Sequence, residues 1–167
     1  DLYQRITDAL QSAGKNLDAI TVEDLVEVDE FHIGGIQATN DLLDQLDIGP
    51  ETRVLDIGSG LGGPARHISS CYGAKLTGID LIPEFVETAT RLTDLCKLDI
   101  KFHVGSALDI PLEDGGFDLA ILIHVGMNLP DKATLFTETA RVLHPEGVFP
   151  VYDVMSIAKI HPNFPVP

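Results

Sequence analysis

A glycine-rich segment is the part of this sequence best suited to bind a ligand. In "RVLDIGSGLGGPARHIS", Gly58, Gly60 and Gly63 follow the G-x-G-x-x-G spacing that joins a strand to a helix in nucleotide-binding proteins. Gly58 and Gly60, with Ser59 between them, would let the backbone approach a ligand closely. The helix that follows would direct free N–H groups at an anionic part of that ligand. NAD, FAD and S-adenosylmethionine all fit this pattern.

Asp56, two residues before the first glycine, helps to separate these ligands. Its carboxylate would repel a pyrophosphate at short range in a poorly solvated site. S-adenosylmethionine instead carries an ammonium and a sulfonium beside one carboxylate, so an acid at this position would attract it. Alternatively, Asp56 only caps or orients the loop, which is compatible with each of these ligands.

Asp80 ends the next predicted strand, "LTGID". It could accept hydrogen bonds from both ribose hydroxyls of an adenosine ligand, and Leu81 or Ile82 could pack on the adenine. Asp80 could also cap the helix that begins near Pro83, and the two roles can coexist. Asp80 therefore favours an adenosine ligand without separating NAD from S-adenosylmethionine.

The elements that would position these residues alternate between strand and helix. We predict strands at 53–57, 74–80, 100–104, 117–125 and 148–154, helices at 64–72, 83–96 and 131–143, and a turn at "HPEG" before the last strand. This order predicts an α/β fold with a doubly wound, mostly parallel sheet. In such sheets ligands bind at the carboxyl ends of the strands, where Asp56 and Asp80 fall.

The residues before the first strand are predicted to form a separate helical part. Apolar spacing predicts one helix from Leu2 to Gly14 and another from about Ile36 to Leu46, with a polar stretch between them. We expect residues 1–49 to form a cap or lid and residues 50–167 to form the ligand-binding core. Little sequence follows the fifth predicted strand, so we expect the C-terminal strands of the fold to be missing from this chain.

Composition argues against several classes of function. The 167 residues carry a formal net charge of -15 and contain no basic run, so we expect no nucleic-acid partner. The acidity suits a cationic ligand or amine substrate, and equally simple solubility. The apolar run 119–125 is too short to cross a bilayer, and we expect a cytoplasmic protein with no membrane partner. No metal site is predicted, because the cysteines and histidines lack ligand spacing: Cys71, Cys96, His67, His103, His144 and His161.

Four segments in order resemble the motifs of class I S-adenosylmethionine-dependent methyltransferases: "VLDIGSGLGG", "LTGIDL", "GSALDIPLEDGGFDLAI" and "RVLHPEGVFPVYDV". They cover about residues 53–154. The segments "DEFHIGGIQAT", "HVGMNLPDKATLFTETARVL" and "FPVP" resemble the small-molecule group that includes sarcosine and dimethylglycine N-methyltransferases. The resemblance implies a Rossmann-like fold and S-adenosylmethionine as cofactor.

The same resemblance assigns site residues. It implies that residues near the ends of the first four predicted strands contact the cofactor: Asp56, Gly58, Ser59, Gly60, Asp80, Leu81, Ser106, Ala107, Ile123 and His124. The family usually has an acid where this chain has Ser106, so a hydrogen bond that Ser106 accepts from the adenine amino group would be neutral and weaker.

The acceptor side is predicted from fewer signals. Phe31, His32, Gly34 and Gly35 are expected to form a lid or contact substrate, or to be a plain loop before a helix. Asn128 could touch substrate. Two further residues each have two possible roles. His124 either acts as the base or packs on the cofactor. Asp153 either faces the substrate pocket or bonds the backbone of a loop.

These observations lead to one function hypothesis and three alternatives. The first is S-adenosylmethionine-dependent methyl transfer to a small molecule, with an amine similar to sarcosine or dimethylglycine as the expected acceptor. The alternatives are O- or C-methylation of a small metabolite, an NAD-dependent oxidoreductase, and a non-catalytic methyltransferase-like binding module. Asp56 and the lack of a Tyr-x-x-x-Lys pair count against the oxidoreductase.

Overall fold

The computed structural model describes residues 1–30 and 32–155. The α-helices are α1 Leu2–Ser12, α2 Val22–Asp29, α3 Gly35–Leu43, α4 Gly63–Tyr72, α5 Pro83–Leu95 and α6 Lys132–Val142. The strands are β1 Arg53–Ile57, β2 Lys75–Asp80, β3 Ile100–Val104, β4 Phe117–Ile123, β5 Leu143–Val148 and β6 Val151–Tyr152. Short 3₁₀ helices lie at Leu17–Ala19 and Gly126–Asn128.

The strands form one sheet in the order β3-β2-β1-β4-β5, and β6 pairs with the end of β4. The pairings between these strands are parallel. The chain moves outward from β1 to β3 on one side and then returns to β4 on the other side. This reversal opens a crevice at the carboxyl ends of β1 and β4, as expected for a doubly wound fold. The predicted α/β architecture is confirmed.

The central strands are apolar because both faces of the sheet are covered. Val54 of β1 packs in a cluster with Leu43 of α3 and Ile68 of α4. Leu55, which points to the opposite face, packs in a cluster with Leu135 of α6. Asp56 breaks this apolar run at the end of β1, so its burial needs a separate explanation.

The N-terminal helices pack beside the sheet helices and do not extend away from them. Ile6 of α1 and Leu25 of α2 share an apolar cluster with Leu92 of α5. The contact between α2 and α4 brings the end of α2 next to the glycine loop. The division into a lid at 1–49 and a core from residue 50 stays a prediction.

Three local predictions are wrong. The stretch between the first two predicted helices contains α2, which begins with a capping box between Thr21 and Asp24. The next helix ends at Leu43, short of the predicted Leu46. The "HPEG" turn and the single strand at 148–154 are replaced by β5, which includes "HPEG", and the separate β6.

The pairing of β5 explains this last difference. Phe117 pairs with Leu143 and Leu119 pairs with Val148, so residues 144–147 bulge opposite a single residue of β4. Pro150, which has no N–H to donate, separates β5 from β6 and still accepts a hydrogen bond from Leu122 N at 3.2 Å. Among the described residues, no helix combines the length and apolarity needed to cross a membrane. The cytoplasmic location stays a prediction.

Candidate functional site

A cavity of about 420 Å³ opens at the carboxyl ends of β1, β2 and β4. It is lined by the end of α2, the glycine loop, the start of α4 and the residues after β4: Val28, Asp29, His32, Asp56, Gly58, Ser59, Gly60, Leu61, Pro64, Asp80, Phe85, Ile123, His124 and Val125. A larger cavity of about 580 Å³ lies beside Arg53, Lys75 and Lys101. Because that cavity is at the amino ends of the strands, the smaller one is the candidate site.

The glycine loop is fixed to β2 and leaves space on its cavity side. The N–H groups of Gly58 and Ser59 both donate to the Ile79 carbonyl, at 2.8 and 2.9 Å. Gly58 has a φ of +75°, and a Cβ there would lie 2.6 Å from Val125 Cγ2, so the position requires glycine. Gly60 has a φ of +53°, and a Cβ there would have nothing within 4 Å. The Gly60 backbone is therefore open to a ligand.

Asp56 is a buried carboxyl group without a balancing charge of its own. It is 2 % exposed, and its Oδ2 has no hydrogen-bond partner among residues 1–30 and 32–155. Burial raises the pKa of Asp56 to about 7, and the negative charges of Asp80 and Glu30 add to this rise. A buried ionised group is costly unless it is paired. The geometry therefore favours a ligand that brings positive charge to Asp56.

Asp80 holds two backbone segments beside the same cavity. Its Oδ2 accepts from Gly60 N and its Oδ1 accepts from Ile82 N, both at 2.9 Å. Ile82, and not Asp80, is the N-cap of α5. The predicted N-cap role of Asp80 is therefore wrong, although its carboxylate bonds the backbone of the N-cap residue. Each carboxylate oxygen has a further lone pair, which leaves capacity to accept from ribose hydroxyls. The ribose role stays a prediction.

His32 closes one side of the cavity and is held by hydrogen bonds at both ring nitrogens. Its Nε2 lies 2.8 Å from Glu30 Oε2 and 3.1 Å from Thr39 Oγ1, and its Nδ1 lies 3.1 Å from the Ile33 carbonyl. The Thr39 hydroxyl itself donates to Glu30 Oε2 at 2.8 Å. Glu30, Thr39 and the Ile33 carbonyl thus lie within hydrogen-bond distance of both ring nitrogens of His32. Both nitrogens are engaged by groups of the protein.

His124 stands opposite His32 and is held differently. The two ring centroids are 6.3 Å apart. The His124 backbone has a φ of +59°, which is rare for a residue with a side chain, and its N–H donates to the Tyr152 carbonyl at 2.7 Å. Within the part of the chain that the structure describes, its buried Nε2 has no hydrogen-bond partner. His124 is thus the imidazole in this cavity with a nitrogen available for an acceptor molecule.

Several predicted site residues do not line this cavity. Leu81 is 71 % exposed beside Asp80. The Ser106 hydroxyl accepts from Leu108 N at 3.1 Å, within its own turn. The remaining residues of this kind are Ala107, Gly34, Gly35 and Asn128. Their roles stay predictions, and Phe31 lies outside the described residues.

Asp153 follows the second of its two predicted roles. Its Oδ2 accepts from Met127 N at 3.0 Å, and its Oδ1 accepts from Val154 N at 2.7 Å. A Cβ on Gly126 would lie 2.5 Å from Asp153 Oδ2. Asp153 therefore bonds the loop backbone after β4, and that loop needs a glycine to pass it.

Asp29, which lines the cavity, forms a buried ion pair with Arg66 that the sequence analysis missed. Arg66 of α4 is fully buried, and its Nη2 lies 2.5 Å from Asp29 Oδ1 at the end of α2. Arg66 Nη1 also donates to Thr93 Oγ1 of α5 at 3.1 Å. Burial raises the pKa of Asp29 to about 6, while the Arg66 charge opposes the rise. The two partners are 37 residues apart, and nothing local in the sequence indicates their pairing.

No group of three or more metal-ligating side chains is present in the described ranges, 1–30 and 32–155. The expectation that this protein has no metal site stays a prediction.

The comparison with known families decides which class of adenosine-binding fold this is. A model of the family described as "Methyltransferase domain" matches residues 55–151, which include the glycine loop and both acids. The chain belongs to the class I S-adenosylmethionine-dependent methyltransferases. The predicted resemblance is confirmed.

Curated relatives of this methyltransferase domain act on different atoms, according to their names. It is 39% identical over 104 residues to 2-methyl-6-phytyl-1,4-hydroquinone methyltransferase of Synechocystis sp., which covers 62% of this chain and 32% of that protein. It is 41% identical over 97 residues to the chloroplastic tocopherol O-methyltransferase of Arabidopsis thaliana. This match covers 57% of this chain and 28% of that protein. Other relatives are named ajmaline N-methyltransferase and sterol 24-C-methyltransferase. The chain spans about a third of the length of these relatives.

A solved structure from Galdieria sulphuraria, titled as a sarcosine dimethylglycine methyltransferase, is similar to most of the methyltransferase domain. The TM-score is 0.68 at 25% identity, over 90% of this chain and 59% of that chain. The small-molecule group predicted from the sequence is therefore confirmed at the level of the family.

Proposed function

We propose that this protein binds S-adenosylmethionine in the cavity at the ends of β1, β2 and β4 and transfers its methyl group to a small molecule. The observation that carries this proposal is the unpaired, buried Oδ2 of Asp56 beside the open backbone of Gly60. The ammonium of the methionine part would supply the positive charge that Asp56 lacks. Asp80 would accept from the ribose hydroxyls while it keeps its bonds to Gly60 and Ile82.

The chain's own residues would bind and align the reactants. When bound, S-adenosylmethionine supplies an electrophilic methyl group on a sulfonium. Positioning of two reactants can lower a barrier by about 7–11 kcal/mol, so alignment by the cavity walls would be the main contribution. His124 Nε2 would accept the proton of an acceptor hydroxyl, a role that suits His32 less because both its ring nitrogens already have protein partners.

We infer that the acceptor is an oxygen or carbon nucleophile on a largely apolar molecule, and not the amine expected from the sequence. A hydroxyl or carbon acid must lose a proton, which fits the free nitrogen of His124. Relatives named for tocopherol, a phytyl hydroquinone and sterols support an apolar acceptor. Apolar side chains are also exposed at Ile33, whose carbonyl bonds Tyr152, and at Val154 and Met155, which follow Tyr152 closely in the chain.

An amine acceptor is the second candidate. The Galdieria structure and the ajmaline N-methyltransferase support it by name, and the net charge of -15 would attract a cation. Such an acceptor must arrive as the neutral amine, so it needs His124 less than a hydroxyl does.

Calorimetric titration of the intact protein with S-adenosylmethionine tests the cofactor. We expect binding, no binding of NADH, and a loss of affinity by about 10- to 100-fold in Asp80→Asn, because a charged hydrogen-bond acceptor is removed. Asp94→Asn, an exposed residue of α5, is the matched control and should bind like wild type. If NADH binds and S-adenosylmethionine does not, the proposal is refuted.

Transfer of a tritiated methyl group tests the acceptor. The panel contains a tocopherol-type phenol, a sterol, sarcosine and dimethylglycine. Label on the phenol or the sterol supports the apolar acceptor, whereas label on sarcosine or dimethylglycine alone supports the amine.

A further inference from the structure

We propose that Glu30, Thr39 and Tyr152 are positioning residues that latch the lid loop, residues 32–34, over the His124 side of the cavity and slow the escape of the bound ligand. This inference rests on the proposed function, because it takes S-adenosylmethionine and its product as the ligands of that cavity. None of the three residues lines the cavity, so each would act through the loop.

The first half of the latch is the buried contact between the loop and the helices on either side of it. Glu30 follows α2 and Thr39 lies in α3, and both bond the ring of His32 between them. The side chains of His32 and Glu30 are only 7% and 4% exposed, so water competes little for these bonds. Because His32 lines the cavity, these bonds fix one of its walls.

The second half of the latch is Tyr152 on β6. Its hydroxyl donates to the Ile33 carbonyl at 3.1 Å, the same carbonyl that accepts from His32 Nδ1. Its own carbonyl accepts from the His124 N–H at 2.7 Å. A single residue thus connects the lid loop to the backbone that carries the candidate base.

Gly34 shows how tightly the loop is seated. Its φ is +86°, and a Cβ there would lie 2.7 Å from Ala38 Cβ and 3.2 Å from Tyr152 Oη. A residue with a side chain would push the loop away from Tyr152. Of the two glycines singled out in the sequence, Gly34 is therefore required by its φ and by its close contacts.

These contacts hold a wall of the cavity through few bonds, which is the arrangement expected of a segment that opens to release product. Losing the Tyr152 hydroxyl removes one neutral hydrogen bond, and losing the Glu30 charge removes a charge-assisted one. Both changes should make opening easier, and neither replaces a residue that lines the cavity.

Stopped-flow measurement of S-adenosylhomocysteine dissociation from the intact protein tests the latch. We expect dissociation to be about 2- to 10-fold faster in Tyr152→Phe and about 10-fold or more faster in Glu30→Gln, with association rates unchanged. Tyr72→Phe in α4 and Glu27→Gln in α2 make the same chemical changes away from the loop and should match wild type. In the double variant Tyr152→Phe/Glu30→Gln, the increase in the dissociation rate should be smaller than the product of the two single increases, because both substitutions act on one loop.

A spectroscopic readout separates a latch from a general loss of stability. The ¹⁵N shift of His32 Nε2, which lies 2.8 Å from Glu30 Oε2, should change in Glu30→Gln and stay at its wild-type value in Glu27→Gln. If Glu30→Gln fails to fold, Thr39→Val removes the neighbouring hydroxyl and replaces it in the test. The latch is overturned if folded Tyr152→Phe releases S-adenosylhomocysteine at the wild-type rate and so does folded Glu30→Gln, or Thr39→Val in its place. Failure of the wild-type protein to bind S-adenosylhomocysteine would instead overturn the proposed function.

Discussion

Replacement of Asp56 by asparagine should make the stability of the ligand-free protein less sensitive to a rise in pH from about 5 to 8. The folded protein holds the pKa of Asp56 at about 7, against an ordinary value of 3.8, with burial as the largest cause. A raised pKa in the folded state means that stability is fully present below the unfolded value and is lost as pH rises towards the folded one. For a shift of this size, wild type should lose about 2–3 kcal/mol of unfolding free energy between about pH 5 and pH 8 through this group. The Asp56→Asn variant has no titrating group at this position and should lose none of it.

Urea denaturation of both proteins at the two pH values measures this difference directly. The other titrating groups, including the raised Asp29 and the lowered Asp118 and Glu138, are common to both proteins and cancel in the comparison. Asp94→Asn on the exposed face of α5 should follow wild type. The same loss of stability in wild type and Asp56→Asn would refute the claim that Asp56 is a buried, unpaired acid. At the higher pH, Asp56→Asn should still bind S-adenosylmethionine about 10- to 100-fold more weakly, because the charge that pairs with the ligand is gone.

Three further substitutions test the loop and the base. Gly58→Ala should lower the unfolding free energy by about 1–3 kcal/mol in urea, because Val125 and a positive φ oppose a side chain, whereas Gly60→Ala should lower it less but weaken binding of S-adenosylmethionine. An equal loss of stability in both would contradict the different surroundings of these glycines. His124→Asn, chosen because asparagine tolerates a positive φ, should reduce kcat about 10²- to 10⁴-fold in the tritium transfer assay while affinity for S-adenosylmethionine is kept. A wild-type kcat would remove His124 from proton transfer.

Most of the sheet could be predicted from the sequence because its signals are local. The strand β1 has the predicted bounds, and α4 and α5 begin and end within a residue of theirs. Apolar runs bounded by Gly, Pro and Asp are enough to mark such elements. The region of β5 and β6 could not be predicted in this way, since its bulge depends on how β4 pairs with it. The helix α2 was missed although its capping box was visible, because acidic residues hid the apolar positions Val22 and Leu25.

The residues predicted to contact the cofactor were easier to group from the sequence than those on the acceptor side. Asp56, the glycines and Asp80 lie in one strand–loop–helix–strand unit, and they line the same cavity. The environment of His32 is assembled from Glu30, Thr39 and the distant Tyr152, which no local pattern connects. That environment places His32 in the wall of the cavity, whereas the sequence alone left open whether it belongs to a lid or to a plain loop.

Proton release on binding tests the central claim most directly, namely that Asp56 is the counter-ion of S-adenosylmethionine. Calorimetry of the intact protein in buffers of different ionisation enthalpy, at about pH 7, counts the protons exchanged. Since about half of the Asp56 carboxyls are protonated there and a cation favours the ionised form, wild type should release roughly half a proton per ligand bound. Asp56→Asn should release none beyond the background of other groups. Binding without proton release, or the same release in Asp56→Asn, would contradict the account.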